Sequence, residues 1–263
     1  MPKIFIVILL IFIIGCDSQN SDNIKKVKTI TTIQEASGIC YVPKTDTLFV
    51  VGDNGIVYEI DKNGLELQRK DLKLAKNDFE GIAYDKQLDL LYIAVEGVDN
   101  ILVLDRDLNV IKEVNINRQD AKGRVILENK GDGLEGISVY GDKVYVSNQS
   151  FKMLPASDPS VLVELNSSWN DRASISRVIE HGYVDISGMA FYNETLYLIS
   201  DTDNLLIKYD IANSKVISKK SISDIDSTLA NLSLEGVAFD NDGYIYFAID
   251  DKKDGKIVKY KYY

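Results

Sequence analysis

The chain has 263 residues, with 30 Lys and Arg against 40 Asp and Glu, a net charge of -10 and 45% hydrophobic residues. That composition supplies a core and excludes a disordered chain, while the acidic balance excludes the basic surface that a sequence-independent nucleic-acid binder needs. A single histidine and two cysteines exclude a His-rich metal centre and a disulfide framework.

The first segment differs from the rest. Lys3 is followed by an unbroken apolar run from Ile4 to Ile14, then Gly15 and Cys16. As a helix that run reaches only about 16 Å, too short for a hydrocarbon core roughly 30 Å thick, so it reads as a secretory signal peptide. Ile13-Ile14-Gly15-Cys16 resembles a bacterial lipobox. The resemblance implies cleavage before Cys16 and a lipid on its sulfur; the alternative is an ordinary signal peptide with an incidental cysteine. Asp17 to Asn23 is polar and reads as a short tether. The expected layout is a signal peptide over 1–15, a lipidated cysteine and tether over 16–23, and one domain over 24–263. The expected location is the bacterial cell envelope, held to a membrane through Cys16. Asp17 resembles the inner-membrane retention signal of some Gram-negative bacteria, but the choice of membrane and leaflet stays open.

Beyond the tether, one unit repeats. Gly38, Gly81, Gly136, Gly188 and Gly236 each follow a small or acidic residue and open an apolar run. Their spacings are 43, 55, 52 and 48 residues. A second run follows each, namely Leu48 to Asp53, Leu91 to Glu96, Val144 to Gln149, Leu196 to Asp201 and Ile245 to Asp250. Third runs come next, and fourth strands follow four of them, as in Val110 to Val114 and Lys215 to Lys219. Asp53-Asn54-Gly55, Lys62-Asn63-Gly64 and Asn241-Asp242-Gly243 are hairpin turn signals. Nothing longer than a turn reads as an amphipathic helix. Four short antiparallel strands at this period describe a propeller blade. The fifth unit ends after its third strand, and Ile24 to Ile33 is a lone strand able to complete it. The reading is an all-β, five-bladed β-propeller of four-stranded antiparallel blades, with the last blade closed by the N-terminal strand. The alternative is a six-bladed ring with a degenerate blade in 115–132 or 149–165.

The order Ser37-Gly38, Glu80-Gly81, Glu135-Gly136, Ser187-Gly188, Glu235-Gly236, with Asp158-Pro159 ahead of Leu162 to Leu165, resembles the SdiA-regulated family of bacterial propellers over residues 24–263. The resemblance implies a secreted or membrane-attached propeller with no settled activity. A more distant similarity to phytase-like esterase propellers implies a calcium site in some members.

By repeat symmetry, Ser37, Glu80, Glu135, Ser187 and Glu235 should form one ring around the axis, and Asp53, Glu96, Gln149, Asp201 and Asp250 a second. Glu80, Glu135, Glu235, Asp53, Glu96, Asp201 and Asp250 are therefore candidate ligands for Ca²⁺ or Mg²⁺, since hard carboxylate oxygens suit those ions. The competing reading gives the acids turn-capping duty, copied into every blade. No catalytic residue stands out. His181 reads as a surface loop residue, Cys40 as a buried apolar thiol, and Trp169 as packing between blades. Arg124 and Lys130 are the nearest cations to the third unit. Asn166, Asn193 and Asn231 begin glycosylation sequons that carry no weight in a bacterial chain. The expected function is a ligand- or protein-binding module at the envelope; the alternative is a Ca/Mg-dependent esterase or phosphatase.

Overall fold

The computed structural model describes residues 23–74, 78–127, 133–166, 169, 171–229, 231–251 and 254–263. The expectations for the signal peptide, for Cys16 and for Lys130 fall outside these residues.

The chain folds into a five-bladed β-propeller. It begins with β1 (Ile24–Thr32). Blade 1 holds β2 (Ala36–Val42), β3 (Thr47–Gly52), β4 (Ile56–Asp61) and β5 (Glu66–Asp71), and blade 2 holds β6 (Phe79–Asp85), β7 (Leu90–Val95), β8 (Asn100–Leu104) and β9 (Val110–Ile116). Blade 3 holds β10 (Leu134–Tyr140), β11 (Lys143–Asn148), β12 (Val161–Leu165) and, beyond the short β13 (Arg172–Ala173), β14 (Ile175–Ile179). Blade 4 holds β15 (Ile186–Tyr192), β16 (Thr195–Ser200), β17 (Leu205–Asp210) and β18 (Lys215–Ser221). Blade 5 holds β19 (Ser233–Phe239), β20 (Tyr244–Asp250) and β21 (Lys256–Tyr262). Its fourth strand is β1, antiparallel to β21 from Ile24 opposite Tyr262 to Thr32 opposite Lys256. The ring thus closes with the first and last strands side by side, as expected, and no sixth blade occurs among the described residues.

Successive side chains on a strand point to opposite faces, and here each face meets a different neighbouring blade. On β3, Phe49 and Val51 pack toward blade 2, while Leu48 and Val50 pack toward blade 5. Both faces are buried, which is why the second strands are nearly unbroken apolar runs rather than clean alternations. Hydrophobic clusters fill the gaps between blades, and each fully buried Leu, Ile, Val or Phe contributes about 1.5–3 kcal/mol. The hairpin glycines Gly55, Gly64 and Gly243 have φ of 77°, 96° and 74°, in the left-handed region that these tight turns need.

Two features depart from the repeat. Arg172 and Ala173 of β13 pair in parallel with Asn115 and Ile116, so blade 2 gains a fifth strand from the hairpin of blade 3. A one-turn helix, α1 (Ile222–Ile225), fills the connection between blades 4 and 5, burying Ile222.

Candidate functional site

The inner strands β2, β6, β10, β15 and β19 line the axis, and the five repeat glycines set its width. A methyl group built on Gly81 would lie 2.4 Å from the Glu135 carbonyl oxygen of the next blade. On Gly188 it would lie 2.5 Å from the Glu235 carbonyl, and on Gly236 2.7 Å from that of Ser37. Each inner strand thus touches the backbone of its neighbour, which only a residue without Cβ permits. At this waist the open space is about 10 Å³, ringed by the glycines, and a water needs about 10–15 Å³. The axis therefore narrows to about the room of one water between two cups.

The two cups differ in chemistry. One, here called the far end, opens among the hairpins that join first to second and third to fourth strands. It is a cavity of about 100 Å³ lined by residues that include Cys40, Tyr84, Phe191 and Phe239. The other, the mouth, opens where the inner strands begin and gathers carboxylates. The same backbone bond recurs there in four blades: the amides of Asp53, Glu96, Gln149 and Asp201 donate to the carbonyls of Glu35, Asp78, Gly133 and Asp185. Both predicted rings are thereby held at one end.

Their charges interact. Burial, then the carboxylates of Asp53, Glu96 and Glu235, push Glu80 well above its ordinary value. Burial and then Glu80, Glu235 and Glu96 do the same to Glu135. Glu235 is raised to about 8 by burial, with Asp201, Asp185, Asp53 and Asp250 adding to it. Asp53 is raised to about 6, chiefly by burial, even though the Ser37 hydroxyl donates to it. Within the mouth, one oxygen from each of Asp53, Asp78 and Glu80 comes within 4.8 Å of the others. The rings therefore share one space, and the tightest group is an off-axis trio between blades 1 and 2 rather than a symmetric ring.

Several residues take duties that the repeat does not disclose. Asp78 and Asp185 sit three residues before a repeat glycine, and that position was readable in the motif. Asp185 accepts from the Thr202 hydroxyl at 2.7 Å. Asp201 accepts from the Leu234 amide at 3.0 Å, and Asp99 accepts from that of Leu134 at 3.3 Å, so each clasps the next blade. Ser187 likewise donates to the Leu234 carbonyl at 2.6 Å. Asp99 is 1% exposed and is ion-paired with Arg118, the cation this connection supplies to the mouth. Arg124 instead closes its own turn, 2.7 Å from Asp120.

One expectation needs correction. His181 is not a surface residue: it is 4% exposed, its Nδ1 accepts from the Tyr183 amide, and burial lowers its pKa to about 4. The turn that carries it folds against blade 4, which no local pattern reveals. Trp169, outside the strands, packs on Tyr92 of the neighbouring blade with ring centroids 5.4 Å apart. Cys40 is a buried thiol whose pKa burial raises, which suits packing and not nucleophilic attack.

A family model described as SdiA-regulated matches residues 18–250. The chain belongs to the SdiA-regulated family. Comparison of this SdiA-regulated protein with curated sequences gave no match. Among solved structures it resembles the glutaminyl cyclase of Myxococcus xanthus, with a TM-score of 0.68 at 11% identity over 92% of this chain and 98% of that one. A streptogramin B lyase gives a TM-score of 0.55, with the same identity and coverage. The PQQ-bound aldose sugar dehydrogenase of Streptomyces coelicolor gives 0.54, again at 11% identity over 92% of this chain and 98% of that one. At that identity the likeness concerns the fold alone, and a propeller hosts unrelated chemistries.

Proposed function

We propose that this SdiA-regulated protein is a lipid-anchored binding module of the bacterial envelope, held to a membrane through Cys16, whose acidic mouth takes a cationic ligand. A divalent ion, Ca²⁺ or Mg²⁺, is the simplest such ligand. The observation that carries this reading is the convergence of Glu80, Glu135 and Glu235 with Asp53 and Asp78 in one cup. Buried like charges raise one another's pKa, and a cation relieves that cost while supplying the charge the cup lacks. Arg118 is committed to Asp99. The waist leaves room for about one water, so a ligand larger than that enters and leaves by the mouth.

Thermal unfolding of metal-stripped protein, with and without millimolar Ca²⁺ or Mg²⁺, tests the site. An ion at 100 times its dissociation constant adds about 2.7 kcal/mol, which raises Tm by several degrees in a domain of this size. Replacing Glu80, Glu135 and Glu235 with Gln should abolish the rise. No rise with either ion removes the cation reading and returns the carboxylates to turn chemistry. The alternative is a hydrolase using the same ion with a coordination position left for water. Turnover of phosphate or carboxylic esters by ion-loaded protein, lost in the Gln variants, would replace the binding reading with that one.

A further inference from the structure

We infer that the outer face of blades 4 and 5 lies against the anionic surface of the membrane that holds the Cys16 lipid. In a chain of net charge -10, β1 reads Ile-Lys-Lys-Val-Lys-Thr-Ile-Thr-Thr and β18 reads Lys-Val-Ile-Ser-Lys-Lys-Ser. These are the outermost strands of adjacent blades, and neither contains a carboxylate. Together they set Lys25, Lys26, Lys28, Lys215 and Lys219, all exposed, along the outer edges of these two blades. The acids beside them are Asp210, opposite Lys215 on β17, with Asp224 and Asp226 in the connection, and Asp226 is paired with Lys26 at 2.6 Å. The balance is positive, opposite in sign to the whole molecule. Exposed apolar side chains sit among the lysines, Val27 at 49% and Ile217 at 57% exposure. Lysines interleaved with apolar side chains suit a headgroup interface.

Lysine on an edge strand also discourages strand-to-strand aggregation. The other outer strands show that this duty needs no single-sign patch. β5 mixes Glu66 and Asp71 with Arg69 and Lys70, β9 sets Glu113 beside Lys112, and β14 carries Arg177 alone.

The exit of the chain favours the same side. β1 runs from the far end toward the mouth, and the Tyr263 amide donates to the Asn23 carbonyl at 3.0 Å, so Asn23 leaves blade 5 at the far end. Seven residue steps separate it from Cys16, a reach of at most about 25 Å. One seven-residue strand is about 23 Å long. A lipid on Cys16 therefore brings the bilayer within about 25 Å of the outer, far-end corner of blade 5. This inference rests on the anchoring proposed above.

The test uses the full lipidated chain on vesicles of phosphatidylcholine alone or mixed with phosphatidylglycerol. An environment-sensitive fluorophore is placed at Val27→Cys or, as the control on blade 2, at Ile111→Cys. Co-flotation with vesicles reads the anchor by itself. Docking is read from quenching by a lipid-borne quencher. The expected result is quenching at position 27 several-fold above that at 111 on anionic vesicles, and loss of the difference when Lys25, Lys28, Lys215 and Lys219 become Gln. Co-flotation with equal quenching at both positions, or a difference that survives the four substitutions, overturns the inference. If the chain fails to co-float, the anchor is wrong. The same fluorophores are then read with anionic vesicles titrated onto the free chain, where absence of salt-sensitive quenching at position 27 overturns the docking as well.

Discussion

The carboxyl group of Glu235 is held at about 8, far from the 4.5 of a free glutamate, because its strand buries it among other acids. A group with a raised folded pKa binds more protons folded than unfolded. Its contribution therefore favours the folded state below about pH 4.5 and is lost as the pH climbs toward about 8. Glu80 and Glu135 shift in the same direction for the same cause. Metal-stripped protein should accordingly lose several degrees of Tm between pH 6.5 and pH 8, at about 1 kcal/mol for every 2–4 °C, and Glu235→Gln should flatten that slope. Acids with lowered pKa, such as Asp226 beside Lys26 and Asp61 under its turn amides, act below that window, whereas His181, lowered to about 4, adds stability as the pH rises to about 6.5, so the interval above 6.5 carries the test. A Tm that rises through the same interval would show that these glutamates are ionised without penalty.

Each inner strand combines a glycine that lets its neighbour approach with a polar residue just ahead of it. The glycine has a packing duty, since its missing Cβ lies against the backbone of the next blade. Gly81→Ala and Gly188→Ala should each cost about 3 kcal/mol, the upper end of overpacking, because the opposing atom is main chain and cannot turn aside. Gly141→Ala is the control: its added methyl meets open space, leaving only the strain of φ 63°, of order 1–2 kcal/mol. Denaturant midpoints of the three variants measure the difference. Equal losses would mean that the waist tolerates expansion and the cups could communicate.

For the whole molecule, closure depends on β1. Without it, β21 presents an unpaired edge, and the burial of Ile24 against the core between blades 4 and 5 is lost. A chain starting at Gln34 should therefore unfold at a markedly lower temperature and associate on size-exclusion chromatography. A monomer of unchanged Tm would show that four and three-quarter blades close well enough alone. The closed ring also gives the molecule its polarity. One end is an acidic cup, the other a cup with Tyr84, Phe191 and Phe239 in its lining, and the chain leaves beside the latter.

The number of blades, their strands and the closing strand were all legible in the sequence. A repeat writes each element five times, so a weak signal becomes strong when its copies align. The connections between blades are written once, and there local pattern carried little. Nothing in Glu180-His181-Gly182 discloses that the imidazole turns inward. Nor does the run around Arg118 disclose that it crosses 19 residues to Asp99 while Arg124 is spent on its own turn. Symmetry also suggested two regular rings, whereas the tightest carboxylate group joins Asp53 to Asp78 and Glu80 across two blades. The sequence by itself determined the blade, because β-branched periodicity, turn glycines and a glycine at each inner strand are local choices. The narrow waist, the pooling of the two acidic sets in one cup and the placing of the paired β1 and β21 beside blade 4 were decided only by the tertiary structure. Each depends on how residues some 40 to 200 positions apart are brought together when the ring closes.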